Sequence, residues 1–289
     1  MIIVQLLGGL GNQLFQYATA RRLSYRLQTE LKLDITPFET YKLHKYSLQH
    51  FAIVANFASA AEIAALSRTG LARKGIRAVD KFRLPLRFSH VIERSLRFDP
   101  GILHLHDNVY LEGYWQSERY FKDITTMLRT ELCITTPPSA ENESLAARIA
   151  AVPAVSLHIR RADYASNPTT LQRHGLTSLE YYKQAVRFIA ERITTPHFFV
   201  FSDDPAWVQA NLETGFPTTF VTHNNADTNY EDLRLMSLCR HHIIANSSFS
   251  WWSAWLNPTP QKIVIAPARW ANDSALNTSD RIPPEWHRI

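Results

Sequence analysis

The stretch Val155-Ser156-Leu157-His158-Ile159-Arg160-Arg161-Ala162-Asp163-Tyr164 constrains this chain more than any other. An apolar run fit for a buried strand ends in an imidazole, two guanidinium groups, a carboxylate and a phenol. Open α/β sheets bind ligands at the carboxyl ends of their strands, so such crowding marks a candidate site. Two adjacent arginines there favour an anion, because each offers a rigid, permanently charged fork that suits phosphate or pyrophosphate. Successive strand residues face opposite ways, so one arginine is expected to reach the ligand while the other ties the loop to Asp163 or another carboxylate. A purely structural ion-pair network is the competing reading.

The surrounding chain supplies the sheet. Helical and strand patterns alternate after a Pro-rich break at 135–139: a helix at 139–150, the strand above, a helix at 178–192, and strands at 197–201 and 220–224. Such alternation predicts a parallel sheet with helical connections. In Ser202-Asp203-Asp204-Pro205 one aspartate is placed to cap the next helix, with Pro205 in its first turn, which leaves the other for an arginine or a substrate hydroxyl. Residues 228–257 carry the second strong signal. A helix holding Asp232 is followed by a short buried strand at 242–245, and then Asn246-Ser247-Ser248-Phe249 opens a tryptophan-rich helix. Hydroxyls and backbone N–H groups at a helix start make an anion site, which an arginine fork on the same sheet edge would complete from the other side. An ordinary serine cap over a core helix explains the same residues. Asp232 stands where a carboxylate favours the dipole of its helix.

The first half begins with a core strand at 1–7, broken by Gly8-Gly9-Leu10-Gly11-Asn12-Gln13 before a helix expected at 14–27. Gly9 permits close approach of a ligand, but Leu14 stands where a dinucleotide fingerprint needs its third glycine. Asn12 and Gln13 can hydrogen-bond a sugar or cap the helix. Asp34 ends a second strand, where it can hold a substrate hydroxyl or start a turn. A helical piece is read at 60–66, followed by a basic amphipathic segment at 68–90 that suits a solvated helix and loop, a membrane-surface contact or a substrate-saccharide contact. The run 108–117 reads as a strand entering a glycine turn, with Glu112, Tyr114, Trp115 and Gln116 around it. These residues suit a sugar face or an aromatic corner of the core. A helix at 120–132 follows.

Composition excludes several classes. The 289 residues are 45% hydrophobic and 20% charged, with a mean hydropathy of -0.21, as in a folded globule of one large or two moderate domains. No apolar run of about 18 residues could span a bilayer. The apolar start lacks the features of a signal peptide, so cytoplasmic residence is expected, with docking at the inner face of the membrane left open. Two cysteines make no disulfide framework, and no Cys/His spacing resembles a zinc site. A net charge of +5 without a dense basic block argues against nucleic acid.

The motifs taken together resemble the α-1,2-fucosyltransferases of glycosyltransferase family 11, in their compact bacterial form. The resemblance rests on residues 8–16, Gly113-Tyr114-Trp115-Gln116 with Tyr120-Phe121, residues 158–164, Ser202-Asp203-Asp204, and the long match from Asp232 through Trp252. Trp115 departs from the familiar middle motif and leaves the acceptor's identity open. The resemblance implies an α/β, GT-B-like fold of two Rossmann-type lobes, with the active site in the cleft between them. An acceptor lobe would occupy residues 1–135 and a GDP-fucose lobe residues 136–289. It further implies inverting transfer of L-fucose from GDP-β-L-fucose to O2 of a galactose-containing glycan without a metal, the positive protein groups stabilising the departing diphosphate instead.

Under that reading Arg160 stabilises the leaving group, and Arg160, Asp163, Asp203, Glu112 and Asp34 are the catalytic candidates, with the base unassigned among the carboxylates. His158, Arg160, Asp232, Asn246, Ser247, Ser248, Phe249, Gly9, Asn12 and Gln13 are the candidate binding residues. A noncatalytic carbohydrate-binding protein would explain the aromatics and amides but has no need of the arginine loop. A nucleotide-sugar-modifying enzyme such as an epimerase should show the third glycine and a Tyr-x-x-x-Lys couple, and neither is present.

Overall fold

The computed structural model of the protein describes residues 1–67, 89–161, 172, 175–273 and 276–289. The chain divides into two compact units, Met1–Cys133 and Ile134–Ile289.

Unit 1 is built on a five-stranded sheet in the order β3-β2-β1-β5-β4, comprising β1 (Ile2–Gln5), β2 (Leu31–Asp34), β3 (Asn56–Phe57), β4 (His90–Ile92) and β5 (Val109–Glu112). Every pairing in it is parallel. Ile2, Ile3 and Val4 are wholly buried, as the central strand of a covered parallel sheet requires. Helix α1 (Leu10–Leu27) starts four residues earlier than its apolar pattern predicts, so Gly11, Asn12 and Gln13 belong to its first turn rather than to a loop. Gly8 makes the sharp entry possible: its φ is 87°, and a side chain there would run into Asn12. Two short helices follow, α2 (Pro37–Thr40) and α3 (Ala60–Leu66), the latter with a Ser59/Glu62 capping box. The helix expected at 120–132 is instead two 3₁₀ turns followed by α4 (Thr125–Glu131). Of the basic segment expected at 68–90, residues 68–88 lie outside the described residues.

Unit 2 is a six-stranded sheet in the order β11-β10-β9-β6-β7-β8. Its strands are β6 (Ala154–Ile159), β7 (His197–Ser202), β8 (Thr218–Val221), β9 (His241–Ile243), β10 (Val264–Ala266) and β11 (His287–Arg288), again all parallel. All six residues of β6 are buried, so it lies at the centre with covered faces. The connecting helices are α5 (Ala140–Ala150), α6 (Leu179–Ala190), α7 (Pro205–Asn211), α8 (Asn229–Leu238) and α9 (Ser248–Leu256). On one face Tyr181, Tyr182, Ala185 and Ile189 of α6 pack on Val155, Leu157, Val200 and Ile243. On the other, Leu145 and Ile149 of α5 and Leu235 and Met236 of α8 meet Phe199 and Phe201. Strand β8 ends at Val221, leaving His223 and Asn224 in the loop beyond it rather than at a strand end. Two parallel-sheet lobes with flanking helices are the α/β, GT-B-like architecture expected from the sequence.

Candidate functional site

The order of the sheet in unit 2 locates its ligand edge. Chain progression runs outward through β6, β7 and β8 on one side and through β9, β10 and β11 on the other, so the direction reverses between β6 and β9. Crevices beyond the carboxyl ends of strands at such a reversal are where these sheets bind ligands. Arg160 and Arg161 leave β6 there, and Ser247 and Ser248 follow β9. Contact between the His158 and Phe249 rings, with centroids 5.7 Å apart, joins the two segments.

The adjacent arginines have different surroundings. Arg161 is fixed from three sides. Its guanidinium carbon lies 3.4 Å from the centroid of the Trp207 ring, its Nε is 3.5 Å from Asp204 Oδ2, and its backbone N–H donates to Asp203 Oδ1 at 2.8 Å. Arg160 has its Nε 3.1 Å from Asp203 Oδ2, and its side chain is 25% exposed. Both oxygens of Asp203 are therefore engaged with the arginine loop. Of the two readings of this aspartate, these contacts match the one in which it meets an arginine. Asp204 caps α7 by accepting from the Trp207 N–H at 3.3 Å, as expected for the aspartate before Pro205. His158 is 5% exposed, and its Nδ1 is enclosed without a hydrogen-bond partner. Burial, helped by the charge on Arg160, pushes its pKa down to about 3, so the imidazole is neutral. Asp163 lies outside the described residues.

At the start of α9, Ser247 Oγ accepts from the Phe249 N–H at 3.3 Å, and the hydroxyl hydrogen remains available as a donor. Trp251, Trp252 and Trp255 anchor this helix, and the Trp251 indole donates to the Arg281 carbonyl at 2.7 Å, so the helix start stands on a rigid base. The Asn246 amide is engaged by the protein. Its oxygen accepts from Thr177 at 3.1 Å and its Nδ2 donates to the carbonyls of Gly175 and Trp270, both at 3.3 Å, so its amide stitches loops together.

Asp232 lies in the first turn of α8. One carboxylate oxygen accepts from Asn224 Nδ2 at 2.7 Å; the other meets no donor among the described residues. Burial pushes its pKa up to about 6, against the lowering effect of the Asn224 hydrogen bond. A desolvated carboxylate with one oxygen unpaired is suited to accept N–H donors from a ligand.

The sequence-selected residues of unit 1 are used differently. Gln13 is wholly buried, and its Nε2 donates to the carbonyls of Gly8 and Lys45, both at 2.9 Å, while its Oε1 accepts from the Ser47 N–H at 2.9 Å. Asn12 Oδ1 accepts from Gln116 Nε2 at 2.7 Å. The close approach that Gly9 permits is to His44, whose ring carbon stands 3.4 Å from where a Cβ would lie. Asp34 is 2% exposed; one oxygen accepts from the Thr36 N–H and hydroxyl, the other from Tyr110 Oη at 2.6 Å. Glu112 Oε2 is 3.0 Å from His90 Nε2. Gln13 and Asp34 thus spend polar atoms on the protein, as burial obliges. A recess of about 620 Å³ in unit 1 is lined by Glu93, Arg94, Arg97, His104, Trp115 and Tyr120 among others; of the residues read as a sugar face it includes Trp115, and of the catalytic and binding candidates it includes none.

Sequence reasoning missed Gln16, whose amide ties Leu7 at the end of β1 to Gly113 beyond β5, and Trp207, the platform under Arg161. Trp207 could have been found from its position three residues beyond the capping Asp204. Gln16 gives no such signal. Among the described residues, no group of three or more His, Cys, Asp or Glu is arranged to hold a metal ion, and no helix is long and apolar enough to cross a membrane.

Residues 88–289 match the model of Glycosyl transferase family 11. An alpha-1,2-colitosyltransferase of Escherichia coli is 35% identical, with 100% of this chain and 99% of that protein covered. The O-antigen biosynthesis glycosyltransferase WbnK, also of Escherichia coli, is 33% identical over 94% of this chain and 96% of its own length. In fold, the NodZ alpha-1,6-fucosyltransferase soaked with GDP-fucose superposes with a TM-score of 0.55 at 15% identity, covering 91% of this chain and 94% of that one. With a family match over most of the chain and full-length relatives above 30% identity, the protein is a glycosyltransferase and belongs to glycosyltransferase family 11.

Proposed function

We propose that the protein transfers L-fucose from GDP-β-L-fucose to O2 of a galactose-containing acceptor glycan with inversion, residues 136–289 holding the donor and residues 1–135 serving the acceptor. The observation that carries the donor half is Arg160, oriented by Asp203 at the reversal point of the sheet beside the serine-capped start of α9. Breaking the bond between fucose C1 and its phosphate oxygen leaves the electron pair on the β-phosphate. The Arg160 fork, the Ser247 hydroxyl and the first-turn N–H groups of α9 can stabilise that charge more in the transition state than in the ground state. The acceptor O2 forms its bond to C1 from the opposite face, and its proton passes late to solvent water, because a loose, oxocarbenium-like state makes little demand on a base. Asp232 accepts the N1–H and N2–H donors of guanine. His158, neutral at physiological pH, packs beside the diphosphate position.

A second donor is favoured by one finding: the full-length relative at 35% identity transfers colitose, the 3-deoxy counterpart of L-fucose, in the same α-1,2 linkage. The test supplies purified protein with GDP-fucose or GDP-colitose and a panel of β-galactosides, reading GDP release and the product linkage by NMR. GDP release that depends on acceptor, with a new α-1,2 bond from fucose, is expected. Transfer from GDP-colitose alone would select the second donor, and a linkage to another hydroxyl would overturn the O2 assignment. Exhaustive chelation is expected to leave turnover unchanged, because protein cations serve the leaving group. Loss restored by one divalent ion would contradict that.

A further inference from the structure

Behind Asp232 stands a group of side chains that the reaction as described does not use. Asn142 and Asn224 face each other as an amide pair: Asn142 Nδ2 donates to Asn224 Oδ1 and Asn224 Nδ2 to Asn142 Oδ1, both at 3.1 Å. Asn142 is 2% exposed, and its remaining capacity is taken up. Its Nδ2 also donates to Ser139 Oγ, the cap of α5, at 3.0 Å, and its Oδ1 accepts from His223 Nε2 at 2.7 Å. His223 Nδ1 lies 3.4 Å from Glu141. The only side-chain bond leading out of this network among the described residues is Asn224 Nδ2 to Asp232 Oδ1. A hydrogen-bonded amide pair anchored on the buried Asn142, with Asn224 half-buried, restricts the rotamer of each member, so the carboxylate it holds is presented in one orientation.

Placement gives that orientation a use. Strand β8, which leads to Asn224, is two strands from β6. At ordinary strand spacing the Asp232 edge lies about 10 Å from the arginine edge, the scale on which a nucleotide separates its base from its diphosphate.

We propose that Asn224, locked by Asn142 and His223, is a positioning residue that aims the Asp232 carboxylate at the N–H edge of a guanine base and so sets the enzyme's selectivity for guanosine over other nucleotides. The proposal rests on the reading of unit 2 as a GDP-sugar site. Asn224 also keeps the carboxylate ionised, since its hydrogen bond opposes the effect of burial. The other charged groups around it are few. Glu231 on its own helix is held by Arg234, Glu141 on α5 faces His223, and α9 carries no charged side chain.

Calorimetry with the full chain would compare GDP with inosine diphosphate, which lacks the 2-amino group, and with ADP, across pH 5 to 8. Asn224→Ala is expected to weaken GDP by about 10-fold, from the loss of one hydrogen bond to a charged group. It is also expected to narrow the preference for GDP over inosine diphosphate, to move the acid-side loss of GDP affinity to higher pH, and to leave kcat at saturating donor near wild type. Asn224→Ser, smaller and still a donor, should recover part of the selectivity and guards against misfolding of the alanine variant. Asp232→Ala separates the two levels. If it binds GDP like wild type, the nucleotide reading of this edge fails and the proposal fails with it. If it weakens GDP while both Asn224 variants fold and keep the wild-type nucleotide ratio and pH profile, Asn224 is structural only and the positioning role alone is refuted.

Discussion

The two sheets offer the same kind of edge, and the chain uses them in opposite ways. Both are parallel and both gather amides and carboxylates beyond their strand ends, but the outward progression on both sides of a centre belongs to unit 2, whereas in unit 1 β4 lies at the edge and β5 beside β1. In unit 1 those groups bond inward: Gln13 to three backbone atoms, Gln16 across from Leu7 to Gly113, Asp34 to Thr36 and Tyr110. In unit 2 Asp203 contacts Arg160 and Asn224 donates to Asp232, whose other oxygen meets no donor among the described residues. A polar residue at a ligand edge is therefore no sign of chemistry by itself. What distinguishes the edges is whether the internal hydrogen bonds exhaust its polar atoms.

Substitutions at four positions press on this contrast. Arg160→Ala should lower turnover by about 10³ in a folded protein, and Arg160→Lys by about 10², since lysine keeps the charge without the fork. Arg161→Ala, which removes a cation stacked on Trp207, should act mainly on stability; a larger loss of turnover there than at Arg160 would exchange the two roles. Next in size is Gln13→Ala, expected to lose about 2–4 kcal/mol because it strands buried backbone groups, with GDP affinity unchanged. Loss of acceptor affinity at an unchanged melting temperature would instead make the edge of unit 1 a working site. Asp34→Asn should lose about 1–2 kcal/mol, because the amide turns a donor toward a group that already donates to it. Turnover at saturating substrate should hold; abolished turnover with normal stability would restore Asp34 as a base.

The smallest effect has the opposite sign. The Asp232 carboxyl is raised in the fold to about 6, above its unfolded value near 3.9, so folding takes up a proton between those values. The stability this group confers is greatest below about pH 4 and is lost as pH rises through 6. Asp232→Asn should accordingly stabilise the protein by on the order of 1 kcal/mol above pH 7, with the gain vanishing toward pH 4, while GDP binding weakens. Denaturant titrations at the two pH values would check it, and equal stability of the two proteins at pH 8 would contradict it.

The amino-acid sequence by itself determined the architecture and the arginine and serine motifs of unit 2. Buried β-branched runs such as Ile2-Ile3-Val4, the all-buried 154–159 strand and the regular spacing of helices encode parallel lobes through local periodicity, which needs no knowledge of distant residues. The adjacent Arg160 and Arg161, the capping Asp204 and the serine start of α9 were legible for the same reason, being defined by immediate neighbours. Only the tertiary structure decided which polar groups were already taken. The partners of Gln13 include residues 32 and 34 positions away, that of Asp34 is 76 away, and the bonds joining Asn142 to Asn224 span 82. Helix α1 began early for a related reason: the amides of its first turn, which alone read as a loop, found acceptors and donors in segments the apolar pattern could not see. Whether a buried polar atom serves the fold or a ligand depends on what the rest of the chain brings to it, and no local pattern contains that information.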